Sequence, residues 1–246
     1  MEKKIPDNGF LIVASKHERF YQAAIELCDS IKLFWPEAHI TLFTSHEEWI
    51  KPTDWNVADS IVWWEVPNHI RAKLWALSQT PYKGITCYLD ADMDCQHEDV
   101  KDIFDQLPDD LDLIFTPTKE YNAKLVQLSN TERMTMHCGM FLYRNKPNVL
   151  KLMDSWYGEF LKQQLKDEEG YSYVHDIGDY PEEARKWDTF TMWKLLTYSD
   201  HGVKWDENLK IRWNMINGHL PEELEGEEIV FWHYSIPGHE IYKDRK

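Results

Sequence analysis

Short apolar runs and amphipathic runs alternate over the N-terminal part of this sequence, and that order admits few architectures. FLIVA (Phe10 to Ala14) is a β-branched run of strand length. HERFYQAAIELCDSIKLFW follows, with Phe20, Ala23, Ala24, Leu27, Ile31 and Phe34 at helical spacing until Pro36 stops the pattern. HITLFT (His39 to Thr44) and SIVWWEV (Ser60 to Val66) read as strands. IRAKLWALSQT (Ile70 to Thr80) reads as a helix ended by Pro81, and ITCYL (Ile85 to Leu89) as a further strand. This succession predicts an α/β fold with a mostly parallel sheet, right-handed crossovers and flanking helices. Such sheets bind ligands beyond the carboxyl ends of their strands.

The C-terminal half is less regular. Asp99 to Leu107 reads as a short helix, and Leu111 to Phe115 and Gly139 to Arg144 as strands. Asn148 to Leu165 is an amphipathic helix, the acidic stretch Lys166 to Glu183 an exposed loop, and Trp187 to Tyr198 another helix. Glu228 to Ser235 is a late strand. Neither repeat nor linker divides the 246 residues, and 43% hydrophobic content suits one domain over 1–246 with a substantial core. The twelve tryptophans are expected mostly as core filler.

Formal net charge is −16 and no Lys/Arg block occurs, which argues against nucleic acid or anionic lipid as a partner. Cys28, Cys87, Cys95 and Cys138 form no C-x-x-C and no zinc spacing. Cys28 and Cys87 fall in apolar patterns and read as reduced core residues. MEKKIPDNGF carries no signal-peptide run, no stretch is long enough to span a membrane, and there is no N-x-S/T sequon. Together these predict a cytoplasmic protein. The dinucleotide G-x-G-x-x-G, the P-loop, H-E-x-x-H and G-x-S-x-G are all absent.

The strand ITCYL runs into YLDADMD, where Asp90, Asp92 and Asp94 crowd together. Crowded carboxylates cost free energy unless a cation or donors compensate. Two readings are open. Alternate residues leaving a strand can turn Asp90 and Asp92 toward one pocket, where Mg²⁺ or Mn²⁺ finds hard oxygen ligands. Alternatively the segment is a solvated acidic turn. Asp94 reads as a solvent-facing turn acid, and Cys95 and His97 as ordinary residues rather than ligands.

The run AKLWALSQTPYKGITCYLDADMDCQHEDVKDIF resembles the nucleotide-diphospho-sugar glycosyltransferases of GT-A fold, with Asp90 and Asp92 matching their D-x-D motif. HCGMFLYR (His137 to Arg144), WDTFTMWKLL and the WHY ending at Tyr234 resemble later segments of the family 8-type, glycogenin-like members. His137-Cys138 stands where that family often has Asn-Ser, Thr189 replaces a frequent Gln, and Gly238 and Lys243 are spaced more widely than its Gly and Lys.

The resemblance implies a Rossmann-like GT-A domain with a nucleotide-sugar half over about 1–115 and an acceptor-side half over about 116–246. It implies transfer of a sugar from a nucleoside-diphosphate donor to an acceptor hydroxyl, with a lean toward retention of configuration. The acceptor would be a glycan, lipid-linked sugar, protein or small molecule. Asp90, Asp92 and His233 would hold Mn²⁺ or Mg²⁺, with Asp90 also near the ribose; read alone, His233 is a core histidine bonded to backbone. Ala14 and Ser15 would seat the nucleoside, and Lys73, or Arg71, would approach the diphosphate; read alone, both bases lie on a solvated helix face. Gly139, Gly238 and Lys243 would border the donor. Asp188 is either a carboxylate capping its helix or an acceptor-side group that binds or deprotonates the hydroxyl. Two rivals remain: a nucleotidyltransferase, against which the glycine-free ASKHERFYQ argues, and a non-catalytic sugar- or protein-binding shell.

Overall fold

The computed structural model describes residues 5–119, 121–122, 126–128, 133–168, 187–216 and 220–234. In chain order its elements are β1 (Gly9–Ala14), α1 (Glu18–Phe34), β2 (Ile40–Thr44), β3 (Ser60–Val62), α2 (Lys73–Ala76), β4 (Ile85–Asp90) and β5 (Met93–Cys95). There follow β6 (Leu113–Pro117), β7 (Val126–Gln127), β8 (Arg133–Met134), β9 (Met136–Arg144), α3 (Pro147–Glu168) and α4 (Asp188–Tyr198). The last elements are β10 (Trp205–Asp206), β11 (Met215–Ile216) and β12 (Phe231–His233).

The main sheet has seven strands in the order β10-β6-β9-β4-β1-β2-β3. All its pairings are parallel except the two made by β9. The period-2 pattern of the strands sorts their side chains to two faces. Phe10, Ile12 and Ala14 of β1, with Cys87 and Leu89 of β4, pack against Ala24, Leu27, Cys28 and Ile31 of α1. Leu11 and Tyr88 point the other way, into Trp156 and Phe160 of α3 and Phe190 of α4. Each such buried Leu, Ile or Phe contributes about 1.5–3 kcal/mol, so the two cores clamp the sheet from both sides.

β1, β2 and β3 step outward, and the chain then returns to lay β4 on the opposite edge of β1. A crevice opens at such a reversal, beyond the carboxyl ends of the two central strands. There Val13 pairs with Asp90. A second sheet, β11-β12-β5, closes over it: β12 runs antiparallel to β5, with His233 opposite Met93.

Several expected elements differ. The helix expected over Ile70–Thr80 is α-helical only at Lys73–Ala76 and continues as a 3-10 turn, Leu77–Gln79. Ser15 Oγ donates to the Pro67 carbonyl and accepts from His69 N–H, which ties this segment to the end of β1 and leaves little length before Pro81. The strand expected to Val66 ends at Val62, because a turn follows in which Glu65 has φ 64°. The helix expected over Asp99–Leu107 is a 3-10 helix, Glu98–Gln106.

The strand expected over Glu228–Ser235 is Phe231–His233, with Ser235 outside the described residues. The loop expected over Lys166–Glu183 also lies mostly outside them. Most tryptophans belong to the core, as expected: Trp156, Trp193 and Trp213 are buried, and Trp35, Trp49, Trp75, Trp205 and Trp232 pack half-buried against the core clusters, whereas Trp63 is half-buried and Trp55, Trp64 and Trp187 are exposed. No helix among the described residues is long and apolar enough to cross a membrane.

Candidate metal and donor site

Residues two apart on a strand share a face, so Tyr88 and Asp90 of β4 point the same way. The Tyr88 hydroxyl donates to Asp90 Oδ1 at 2.5 Å, and Lys73 Nζ donates to the same oxygen at 3.1 Å. With Oδ1 engaged twice, Oδ2 is left facing His233, 3.8 Å from Nε2. The turn after β4 carries Asp92, whose Oδ1 lies 3.2 Å from that nitrogen. The pairing of β12 with β5 holds the arrangement, and Tyr234 N–H donates to the Asp92 carbonyl at 2.8 Å. Ligand atoms of Asp90, Asp92 and His233 thus all lie within 4.8 Å of one another. Two carboxylates and one imidazole suit a divalent cation that prefers oxygen and tolerates nitrogen, Mn²⁺ above all and Mg²⁺ next.

Behind this group stands a buried ion-pair chain. Lys73 is 5% exposed; its Nζ lies 2.8 Å from Asp188 Oδ2 and also donates to the Cys138 carbonyl at 3.2 Å. The Lys73–Asp188 approach is a charge contact rather than an aligned hydrogen bond. Arg71 Nε is 3.6 Å from the other Asp188 oxygen, and its guanidinium lies over the Trp187 ring at 5.7 Å. Asp188 opens α4, while Trp187 occupies the cap position and makes no side-chain cap bond. The Asp188 carboxylate thus lies in the first turn of α4 and faces both cations. Its backbone carbonyl accepts from the indole of Trp156 at 2.8 Å, which fixes α4 against α3 at this point.

Burial alone would neutralise these groups, and their partners prevent it. Burial lowers the Lys73 pKa, but Asp188 and then Asp90 outweigh it and hold the ammonium above its ordinary value. Burial raises Asp188, but Lys73 and Arg71 hold it well below the usual carboxylate range. Asp90 is likewise lowered, since Lys73 and His233 outweigh its burial. Burial lowers His233, yet Asp92 and Asp90 draw it above its ordinary value. The two carboxylates attract positive charge to Nε2, and a proton and a divalent cation are alternative ways to supply it. His137, pushed down to about 3 by burial and then by His233, stays neutral.

A cavity of about 360 Å³ opens over this constellation, lined among others by Val13, Ser15, Arg19, Arg71, Lys73 and Asp90. Of the residues singled out from sequence, Lys73, Asp90, Asp92, Asp188 and His233 converge here. Ser15 lines the cavity, with its hydroxyl engaged by the 67–69 turn. Ala14 packs in the α1 core. Gly139 lies under the two imidazoles: a Cβ there would sit 2.4 Å from His233 Cε1 and 2.6 Å from His137 Cε1. Gly238 and Lys243 lie outside the described residues.

Asp94 is half-buried on β5 and accepts from Gln96. His97, Asp99 and Glu228 form a second cluster, but it is internally satisfied. His97 Nδ1 accepts from Asp99 N–H, Nε2 lies 2.7 Å from Glu228, and Arg212 pairs with Asp99.

Sequence reasoning gave no role to Tyr88, His137 and Asn214. Tyr88 was readable, since it stands two positions before Asp90 on one strand face. Asn214 lies in an irregular stretch, and only the closed fold brings it to His233.

No protein-family model matches the chain, and no curated protein matches it. Solved structures do. The glycosyltransferase GlyE of Streptococcus pneumoniae TIGR4 superposes at TM-score 0.56 with 14% identity, over 93% of this chain and 55% of that one. This chain thus spans about 55% of the length of that protein. A glycosyltransferase involved in glycosylation of the major capsid of PBCV-1 superposes at 0.53 with 9% identity, over 97% of this chain and 100% of that one. Mouse xyloside xylosyltransferase 1 superposes at 0.50 with 14% identity, covering 93% and 97%. Identity this low speaks to the fold alone, and the fold of this chain is the GT-A type of these glycosyltransferases.

Proposed function

We propose that the chain is a glycosyltransferase that uses Mn²⁺ or Mg²⁺ and moves a sugar from a nucleoside-diphosphate sugar to an acceptor hydroxyl. The bond from the anomeric carbon to the diphosphate breaks and the nucleoside diphosphate departs, a bond to the acceptor oxygen forms, and the hydroxyl proton passes to solvent. The observation that carries this reading is the convergence of Asp90, Asp92 and His233 at the strand-order reversal of a GT-A-type sheet. Asp90, Asp92 and His233 would hold the cation, which would supply positive charge against the departing diphosphate.

The protein's own residues prepare that site. Tyr88 and Lys73 hold Asp90 by one oxygen and leave the other facing His233. Ser15 and Val13 border the nucleoside end of the cavity, and Arg71 and Lys73 supply cationic wall near the diphosphate. Asp188, buried and paired with two cations, is a positioning carboxylate for Lys73; a general base needs a pKa near the working pH. In this reading the donor occupies the half up to about residue 115, and a glycan, lipid-linked sugar, protein or small-molecule acceptor occupies the remainder. The charge of −16 disfavours a nucleic-acid acceptor. Four free, buried cysteines support a cytoplasmic setting.

The test is thermal unfolding with Mn²⁺ and a panel of nucleoside diphosphates, for wild type and Asp92→Asn. Saturation at one hundred times Kd stabilises by about 2.7 kcal/mol. For a chain of this length each kcal/mol moves Tm by roughly 2–4 °C. A metal-dependent shift with one nucleotide, lost in Asp92→Asn, supports the reading; no shift with any member counts against it. Product analysis then separates transfer from the nucleotidyltransferase alternative, which would release pyrophosphate.

A further inference from the structure

His233 reaches the carboxylates with Nε2, and whether that nitrogen offers a lone pair depends on its tautomer. Two carboxylates facing Nε2 favour the wrong one, with the proton on Nε2 and a hydrogen bond to Asp92. A chain of contacts behind the ring opposes this. Gly139 N–H points at His137 Nδ1 at 3.1 Å. A backbone N–H can only donate, so His137 Nδ1 is an acceptor and its ring carries its proton on Nε2. The Asn214 side chain also faces His137 Nδ1, at 3.1 Å. Two acceptors would repel, so the amide nitrogen must stand there, and this fixes which way the amide is turned. Asn214 Oδ1 then faces His233 Nδ1 at 3.0 Å and accepts its proton.

Asn214 is 0% exposed, and its backbone is held as well. Its backbone carbonyl accepts from Asn122 Nδ2 at 3.3 Å, and Asn122 Oδ1 accepts from Ile216 N–H at 2.8 Å. The two imidazoles meet edge to face, 5.2 Å between centroids, over the bare Cα of Gly139.

We propose that Asn214, anchored by His137, is a positioning residue that locks His233 as the Nδ1–H tautomer and aims its Nε2 lone pair at the cation. The lock is a property of the folded chain; its purpose rests on the metal reading above. Outer partners of this kind commonly change metal affinity 10–100-fold when removed.

The experiment reads the tautomer and the metal separately. Nitrogen-15 NMR of histidine-labelled, metal-free protein at alkaline pH, assigned with His233→Ala, reports which His233 nitrogen carries the proton. Wild type is expected with Nδ1 protonated. Asn214→Leu should move the proton to Nε2. Titration with Mn²⁺ alone, followed by electron paramagnetic resonance, should show 10–100-fold weaker binding in Asn214→Leu than in wild type.

Wild type protonated on Nε2, or Asn214→Leu with unchanged tautomer and Mn²⁺ affinity, overturns the proposal. Should Asn214→Leu not fold, His137→Phe frees the amide to turn over, and an unchanged His233 tautomer there overturns it equally. If wild type binds no Mn²⁺ at all, the metal reading fails, while the tautomer readout still decides the lock.

Discussion

Replacing Gly139 by alanine tests the site with one methyl group. The added Cβ would lie 2.4 Å from His233 Cε1, 2.6 Å from His137 Cε1 and 2.9 Å from His233 Nδ1. Ordinary contact begins at 3.4 Å, so the His233 ring must retreat by about the difference between 2.4 and 3.4 Å. Neither ring is a loose end. His233 is held by Asn214 at 3.0 Å and by the β12–β5 pairing, and His137 by Gly139 N–H and Asn214. Overpacking of this kind costs about 1–3 kcal/mol, and at roughly 2–4 °C per kcal/mol the unfolding midpoint should fall by several degrees. A ligand displaced by about 1 Å lowers turnover on the order of 100-fold. The assays are thermal unfolding without metal, Mn²⁺ titration and donor turnover. Gly158, whose Cβ would meet nothing within 4 Å, is the control: Gly158→Ala in α3 should be neutral or slightly stabilising. Gly139→Ala with wild-type unfolding and wild-type Mn²⁺ affinity would refute the crowding argument.

Two further perturbations probe the charges. Lys73→Met leaves Asp188 with Arg71 alone at 3.6 Å and should destabilise by about 3–5 kcal/mol in denaturant unfolding. Adding Asp188→Leu should recover part of the loss, and an unaffected single variant would show that the pair does not hold the site. Asp112 is 6% exposed, lies 2.6 Å from Lys146 and accepts from Lys204 N–H at 3.0 Å. Although burial raises its pKa, these partners outweigh it, so the folded value lies below the ordinary 3.8. Its contribution is complete above the unfolded value and is lost as pH falls through the folded one. Stability measured against pH should therefore fall less steeply below about pH 4 in Asp112→Asn, and an unchanged slope would contradict the assignment.

β1, α1, β2 and β4 were legible in the sequence because their apolar periods are strong and both faces of the sheet are covered. The segment after Ile70 was over-read because its periodicity says nothing of the Ser15 hydroxyl that pins the 67–69 turn. The periodicity of β9 reveals a strand but not its direction, and it runs antiparallel between β4 and β6. The acid motif was legible at the site, since Asp90 and Asp92 are local to one strand end. His233 came into view only through the resemblance, because its approach to Asp92 is made by long-range strand pairing. Asn214 left no signal, and His137 showed only as a departure from the resembled motif, because the hydrogen bonds that join them to His233 connect segments that no local pattern links.

The central claim meets its most direct test in turnover. Purified wild type and Asp92→Asn would be incubated with a panel of nucleotide sugars, with and without Mn²⁺, and the released nucleotide identified. The account predicts Mn²⁺-dependent release of a nucleoside diphosphate from one donor by wild type, abolished in a folded Asp92→Asn. Full turnover by Asp92→Asn, release of pyrophosphate, or metal-independent release would contradict it.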